Sequence, residues 1–326
     1  MCDKIKIIFF AFFFILCGTV FAQTSSTPTI AYGNDWVATD ALGRTLPDYV
    51  SAGGIRGQRY IGMFYWLWHP YVRLKDGPQI TTAQLIHDNP NSPAFECNDR
   101  YWGEPENGFY HPEDPWSTRR NLQLLANAGV DFIYIDFTNG SQGCDAINSF
   151  MSVVLDMYNK GIPVPKIVFF LNEGGVDDAV NCIMDKVYNN QAYQPLWFYW
   201  QGKPLIMADQ AKTASLSARA NTAQVQNFFT WRKTWAFAAG EWNFLDNYPQ
   251  NYFTYNGVAE QMPVSKAMGA PIFANDQGSS KISGGPIPNY DQYWETPTSG
   301  QGLRFEQNWS RAHQIDPQIV CVSGWN

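Results

Sequence analysis

Apolar residues in this chain collect into short blocks, and the spacing between blocks alternates in kind. Residues 59–69, Arg59-Tyr60-Ile61-Gly62-Met63-Phe64-Tyr65-Trp66-Leu67-Trp68-His69, run almost without a polar break and stop at Pro70. Such a run suits a strand buried on both faces, as in a parallel sheet. Asp114-Pro115 then opens a helix, with Asp at the cap and Pro in the first turn. Leu122, Leu125 and Ala126 form its stripe and Gly129 closes it. The alternation continues with a strand over 131–137 and a helix carried by Ile147, Met151, Val154, Leu155 and Tyr158. A strand over 166–171 follows. The next helix carries Val180, Ile183, Met184 and Val187, with Asp177 and Asp178 at its positive end. Residues 197–200, a turn at Gln201-Gly202-Lys203, and residues 204–207 read as a hairpin or as a strand with a lead-in. Further strands are expected at 234–237, 262–267 and 318–322, and a helix at 305–314.

About seven or eight strands alternating with helices argue for a parallel α/β domain. The length, 326 residues, favours a TIM-type (β/α)8 barrel over a doubly wound sheet. No Gly-x-Gly-x-x-Gly follows a first strand, which counts against a dinucleotide fold. No internal repeat or linker splits the chain, so residues 60–326 are expected to form one barrel domain. Residues 23–59, rich in Gly, Thr and Pro, form an arm before it. Residues 71–112 show little periodicity and many Asn, Pro and Gly. A loop of that length is usually functional.

The first 22 residues read as a signal peptide. Lys4 and Lys6 precede an apolar run at 7–16, too short to span a bilayer core of ~30 Å, and Val20-Phe21-Ala22 offers a cleavage site. A secreted or periplasmic protein follows. A lipoprotein at Cys17 is the weaker alternative, because Leu16 stands where a small residue belongs. The net charge of −7 and the lack of any basic run argue against nucleic acid as a partner, and no later segment is long and apolar enough to span a membrane. Of six cysteines, Cys97, Cys144, Cys182 and Cys321 lie beyond the leader, and sequence leaves their three possible pairings open. The four histidines are scattered, so neither a metal nor another cofactor is expected. Aromatic residues are abundant, with 13 Trp, 17 Tyr and 22 Phe. Aromatic faces stack on the apolar faces of pyranose rings while polar neighbours hold the hydroxyls.

Three carboxylates follow predicted strands: Asp136, Glu173 and Asp209. A barrel aims such residues into its mouth. Cleavage of a glycosidic bond needs two carboxylates, one to protonate the leaving oxygen and one to attack or to activate water. A charge after so apolar a strand as 131–135 is costly unless used. Asp136 and Glu173 are the candidate catalytic pair. An Asp before a turn also often caps the next helix, and that alternative weighs most on Asp209. Trp68 and His69 sit at the end of the first strand. Tyr101-Trp102-Gly103-Glu104-Pro105 and Gly108-Phe109-Tyr110-His111 combine aromatics, a carboxylate and a histidine in the long loop. They fit a sugar subsite or a loop packed on its own rings.

Several segments resemble exported bacterial barrels related to glycoside hydrolase families 71 and 99. They are the 62–69 run, Trp102-Gly103-Glu104-Pro105, Gly129 through Gly140 with its Asp136-Phe137-Thr138-Asn139-Gly140 pattern, Leu245-Asp246-Asn247-Tyr248-Pro249-Gln250, and Gly324-Trp325-Asn326. The resemblance runs from about residue 60 to 326. It implies a barrel that acts on α-linked glucans or mannans. It places Asp136, Trp68, His69, Glu104 and Asn139 in the pocket, with Asn326 at its edge. In such barrels the last strand commonly continues Trp-Asn-Glu-Trp, and family 99 carries catalytic carboxylates there. No Glu follows Asn326, so no catalytic residue transfers at that point, and the barrel is expected to lack its last helix. The leading expectation is a secreted glycoside hydrolase acting on a polysaccharide or glycan. In it Asp136 and Glu173 do the chemistry, and Trp68, His69, Trp102, Glu104, Tyr110, His111, Asn139, Asp209 and Asn326 contact substrate. The alternatives are a non-catalytic carbohydrate-binding barrel and an inactive fragment of a hydrolase.

Overall fold

The computed structural model describes residues 39, 43, 45, 47–48, 51, 56–67, 71–73, 79–81, 106–172, 177–217, 219–265 and 303–325. All belong to one compact unit, Tyr32–Asn326. In chain order the strands are β1 (Tyr60–Tyr65), β2 (Tyr71–Arg73), β3 (Gln79–Thr81), β4 (Phe132–Phe137), β5 (Lys166–Leu171), β6 (Tyr199–Trp200), β7 (Lys203–Met207), β8 (Thr230–Arg232), β9 (Thr234–Trp235), β10 (Trp242–Asn243), β11 (Phe253–Tyr255), β12 (Val258–Ser265) and β13 (Ile319–Trp325). The α-helices are α1 (Pro115–Asn127), α2 (Cys144–Asn159), α3 (Asp177–Ile183), α4 (Gln210–Ala214), α5 (Ala223–Gln226) and α6 (Leu303–Ile315).

The local chemistry read from the sequence builds the first helix. Asp114 accepts hydrogen bonds from the Trp116 and Ser117 amides, Pro115 occupies the first turn, and Leu122, Leu125 and Ala126 are buried. Gly129 leaves the helix at φ +77°, a conformation glycine adopts without steric cost.

Strand order is that of a singly wound α/β barrel. β12 pairs β13, β13 pairs β1, and the ladder runs on through β4, β5, β7 and β8, every step parallel. The last strand therefore lies beside the first, as a (β/α)8 barrel requires and a doubly wound sheet does not. Between β8 and β12 stands the short parallel pair β9–β10. β10 meets β12 through side chains, chiefly that of Gln261. The Asn243 amide donates to Gln261 Oε1 (3.0 Å), and Gln261 Nε2 donates to the Asn243 carbonyl (2.6 Å). The Gln261 amide thus replaces a rung of backbone ladder. Gln261→Leu should cost about 1–3 kcal/mol, since it strands a buried N–H and C=O. Urea denaturation checks this. A loss under 0.5 kcal/mol would mean the rung is dispensable.

Period-2 alternation divides the core. Ile133, Ile135, Phe137, Ile167, Phe169 and Leu171 face outward and pack with Ile147, Met151 and Val154 of α2 and Val180 and Ile183 of α3. Phe132, Tyr134, Val168, Phe170, Leu205, Met207, Trp242, Ile319 and Cys321 form a separate cluster inside the barrel. Gly62 makes room there: a Cβ at this position would lie 2.4 Å from the Phe132 ring, which itself stacks on Phe198 at 4.3 Å. α6 covers β12 and β13 through Ala312, Phe305 and Trp309 against Met262, Val264, Val320 and Val322.

Toward the amino ends of the strands, the described residues include one carboxylate buried in the interior. Glu260 is 1% exposed. Its Oε1 accepts from Trp200 Nε1 (2.8 Å), Gln201 Nε2 (3.2 Å) and Arg232 Nη2 (2.7 Å), and its Oε2 from Arg232 Nε (2.7 Å) and Trp242 Nε1 (3.0 Å). The Arg232 guanidinium also lies over Tyr255, 4.6 Å from the ring centroid.

Cys144 and Cys182 form a disulfide and Cys321 is a buried free thiol, whose pKa burial pushes up to about 12 against a hydrogen bond with Gln261 that lowers it. Cys97 lies outside the described residues. The disulfide ties the start of α2 to α3 across 38 residues of sequence. Closing a loop of that size restricts the unfolded chain, worth about 2–4 kcal/mol. Cys144→Ser/Cys182→Ser should lower stability by that amount, read in non-reducing urea melts against wild type. Unchanged stability would assign the bond no thermodynamic role.

Candidate active site

The carboxyl ends of the parallel strands define the mouth, the end where barrels of this kind place their chemistry. Asp136 shares the inward parity of Phe132 and Tyr134 and stands one step above Tyr134 on β4, paired in register with Phe170. Its side chain is 8% exposed. Thr138 donates both its amide (2.9 Å) and its hydroxyl (2.7 Å) to Asp136 Oδ1. Oδ2 accepts no hydrogen bond among the described residues. Among the described residues, the carboxylate is thus held by one oxygen only.

Beneath and beside it lies a floor of rings drawn from separate strands. Phe64 of β1 stacks on Phe244 at 5.7 Å, and Phe170 of β5 meets Phe244 at 4.9 Å and Trp235 of β9 at 5.9 Å. One layer lower, the Tyr134 hydroxyl crosses the interior to donate to the Val322 carbonyl at 2.8 Å. Burial raises the Tyr134 pKa well above its ordinary value, with Cys321 a lesser contributor, so this phenol is a fixed donor. The rim adds Ser265 and Ser323, which are paired in register at the ends of β12 and β13.

The structure separates the other residues expected at the site. Asp209 caps α4, accepting from the Ala211 (3.0 Å) and Lys212 (3.1 Å) amides, and Lys233 Nζ stands 3.9 Å from its second oxygen. Tyr110 is set against the outer face of β1. Its hydroxyl accepts from Asn121 Nδ2 of α1 at 3.5 Å, and burial, partly offset by that bond, pushes its pKa up to about 12. His111 shapes the turn into α1: Nδ1 accepts from the Glu113 amide and its carbonyl from the Asp114 amide. Asn139 is exposed on the turn after β4. Glu173, Trp68, His69, Trp102, Glu104 and Asn326 lie outside the described residues. The sequence reading did not single out Thr138 or the floor of Phe64, Phe170, Trp235 and Phe244. An Asp followed two residues on by Thr is a turn signal that could have found the first.

The described residues contain no group of three or more His, Cys, Asp or Glu side chains able to hold a metal ion. An aspartate with one oxygen unbonded among the described residues, beside an aromatic floor, can accept a hydroxyl proton, stabilise a developing cation, or attack an electrophilic carbon.

No family model and no curated protein matches the chain. Among solved structures, two of the GH99 endo-α-mannosidase from Bacteroides thetaiotaomicron are similar. One, in complex with bis-tris propane, has a TM-score of 0.46 at 14% identity, covering 82% of this chain and 83% of that one. The other has a TM-score of 0.34 at 14% identity, over 54% of this chain and only about half (55%) of that one.

Proposed function

We propose that this chain is a carbohydrate-active barrel that hydrolyses glycosidic bonds, with Asp136 as a catalytic carboxylate. The observation that carries the reading is the Asp136 side chain itself. It is buried at the mouth, fixed through Oδ1 by Thr138, without a partner at Oδ2 among the described residues, and in register with Phe170 of the aromatic cluster. A pyranose ring offers what that site matches: an apolar face for the rings and hydroxyls or a developing oxocarbenium charge for the carboxylate. Glu173 supplies the second carboxylate in this reading. It is the first carboxylate after β5 in the sequence. One group protonates the leaving oxygen while the other attacks or activates water.

Export is part of the proposal. It rests on the leader at 1–22 and on the Cys144–Cys182 disulfide, since such bonds persist in oxidising compartments. No helix among the described residues is long and apolar enough to cross a membrane.

The test is release of reducing sugar from α-glucans and α-mannans, with β-linked polysaccharides as the comparison, by wild type and by Asp136→Asn. Hydrolysis by wild type alone supports the reading. Binding of a glycan with no product from either protein favours a carbohydrate-binding barrel without catalysis.

A further inference from the structure

The segment joining β10 to β11 leaves the mouth at Phe244, a member of the aromatic floor. It is pinned by buried polar groups. Asp246, 7% exposed, accepts from the Asn247 amide (2.8 Å), the Asn251 amide (2.8 Å) and Asn251 Nδ2 (3.1 Å). Its own amide donates to Ser265 Oγ (3.4 Å) at the end of β12, which sets this part of the loop level with the rim. Gln250, 1% exposed, donates from Nε2 to the Asn308 carbonyl of α6 (2.8 Å), and Arg311 Nε donates to the Gln250 carbonyl (2.9 Å). Asn308 Nδ2 completes the set on the Ser265 carbonyl (2.9 Å). Gln250 Oε1 and Asn308 Oδ1 have no partner among the described residues, but the bonds that are made tie the loop to both β12 and α6 and so restrict its conformation.

What this fixed loop shows to solvent is aromatic. Tyr248 is 45% and Tyr252 44% exposed. Neither ring has an aromatic or cationic partner among the described residues, whereas Tyr255, just beyond, lies under Arg232. Core packing does not account for two large side chains held out on a rigid support. Each stands next to an asparagine, Asn247 or Asn251, so ring faces and amide groups occur together. That pairing suits a sugar, which presents an apolar face and a fringe of hydroxyls.

We propose that Tyr248 and Tyr252 form a second saccharide platform continuing from the mouth, so that the ligand is a chain of several sugar residues rather than a monosaccharide. The inference rests on the carbohydrate reading and extends it from the kind of ligand to its length. A fixed platform binds without the entropy cost of ordering a loop, which is where such a support gains affinity.

The test uses isothermal titration of the full-length protein carrying Asp136→Asn, to suppress hydrolysis, with maltotetraose, an α-mannotetraose, cellotetraose, glucose and mannose. Tyr248→Ala/Tyr252→Ala is then added to the same protein. The expected result is about a tenfold or greater loss of affinity for the bound tetrasaccharide, roughly the loss of one good contact. Any affinity for the monosaccharide should stay unchanged. Both residues are exposed, and an unaltered melting curve confirms the fold. Equal tetrasaccharide affinity with and without the tyrosines overturns the platform and leaves the carbohydrate reading standing. Absence of binding to every sugar by the parent protein removes that reading, and the platform with it.

Discussion

Glu260→Ala is expected to lower the unfolding free energy by about 3–5 kcal/mol, the typical cost of removing one partner of a buried ion pair. The substitution deletes the only acceptor that the Trp200 and Trp242 indole N–H groups have among the described residues, and it strands a guanidinium whose side chain is 11% exposed. Burial alone would raise the Glu260 pKa, but the hydrogen bonds from Arg232, Trp200 and Trp242, with the Arg232 charge, outweigh it and hold the carboxyl below its ordinary value. The sign of the pH dependence follows. A depressed folded-state pKa contributes stability at pH above the unfolded value, near 4.3, and that contribution is lost as pH falls through the folded value. Wild type should therefore lose stability on acidification below about pH 4.3 more steeply than Glu260→Gln, which has no such group to protonate. Replacing the pair together, Glu260→Leu with Arg232→Met, should cost less than the two single changes combined, because no charge is left unpaired. Urea melts of wild type, Glu260→Gln, Glu260→Leu, Arg232→Met and the double variant at pH 7 and pH 4 measure both effects. Additive single losses and parallel acid limbs would show that the pair is not coupled.

That cluster also explains where sequence reading stopped. α1 was legible because each of its signals is local: Asp114, Pro115 and Gly129 lie within fifteen or so positions and act on neighbouring backbone. β1, β4 and β5 were legible because they are apolar on both faces. β8 was not, since Thr230-Trp231-Arg232 carries a charge that reads as solvent-facing until Glu260, 28 residues on, neutralises it. β11 was missed for a related reason: its tyrosine is exposed, and its strand identity comes from antiparallel pairing with β12. The junction of β10 with β12 runs through the Gln261 amide and the Trp242–Glu260 bond, which no periodicity announces.

The site divides in the same way. Asp136 was legible as a charge ending an apolar strand, and the structure aims it inward by strand parity. Asp209 had the same sequence context and a different outcome. The residues after it start a helix at once, and its carboxylate is taken by two helix amides. The floor of Phe64, Phe170, Trp235 and Phe244 joins residues up to 180 positions apart, and only barrel closure brings such residues together.

Asp136→Asn is expected to reduce hydrolysis by at least 10²–10⁴-fold, the range for losing a positioned acid or base, on whichever polysaccharide wild type cleaves. The amide is close in shape to the carboxylate, and its oxygen can still accept from both Thr138 donors, so stability should change by less than about 0.5–1 kcal/mol. This separation is what makes the variant informative: rate and fold are read independently. Thr138→Val provides the graded comparison. It removes the hydroxyl donor and keeps the backbone one, leaving the carboxylate present but less well held. A partial loss, about tenfold, should appear in kcat rather than in binding, because misplacing a reacting group weakens the transition state more than the ground state. Glu173→Gln should match Asp136→Asn in severity if the two act as a pair, and the double variant should be little worse than either, since groups acting as a unit are not additive. Full turnover by Asp136→Asn, with an intact melting curve, would take the aspartate out of the chemistry and leave it as a turn residue bonded to Thr138.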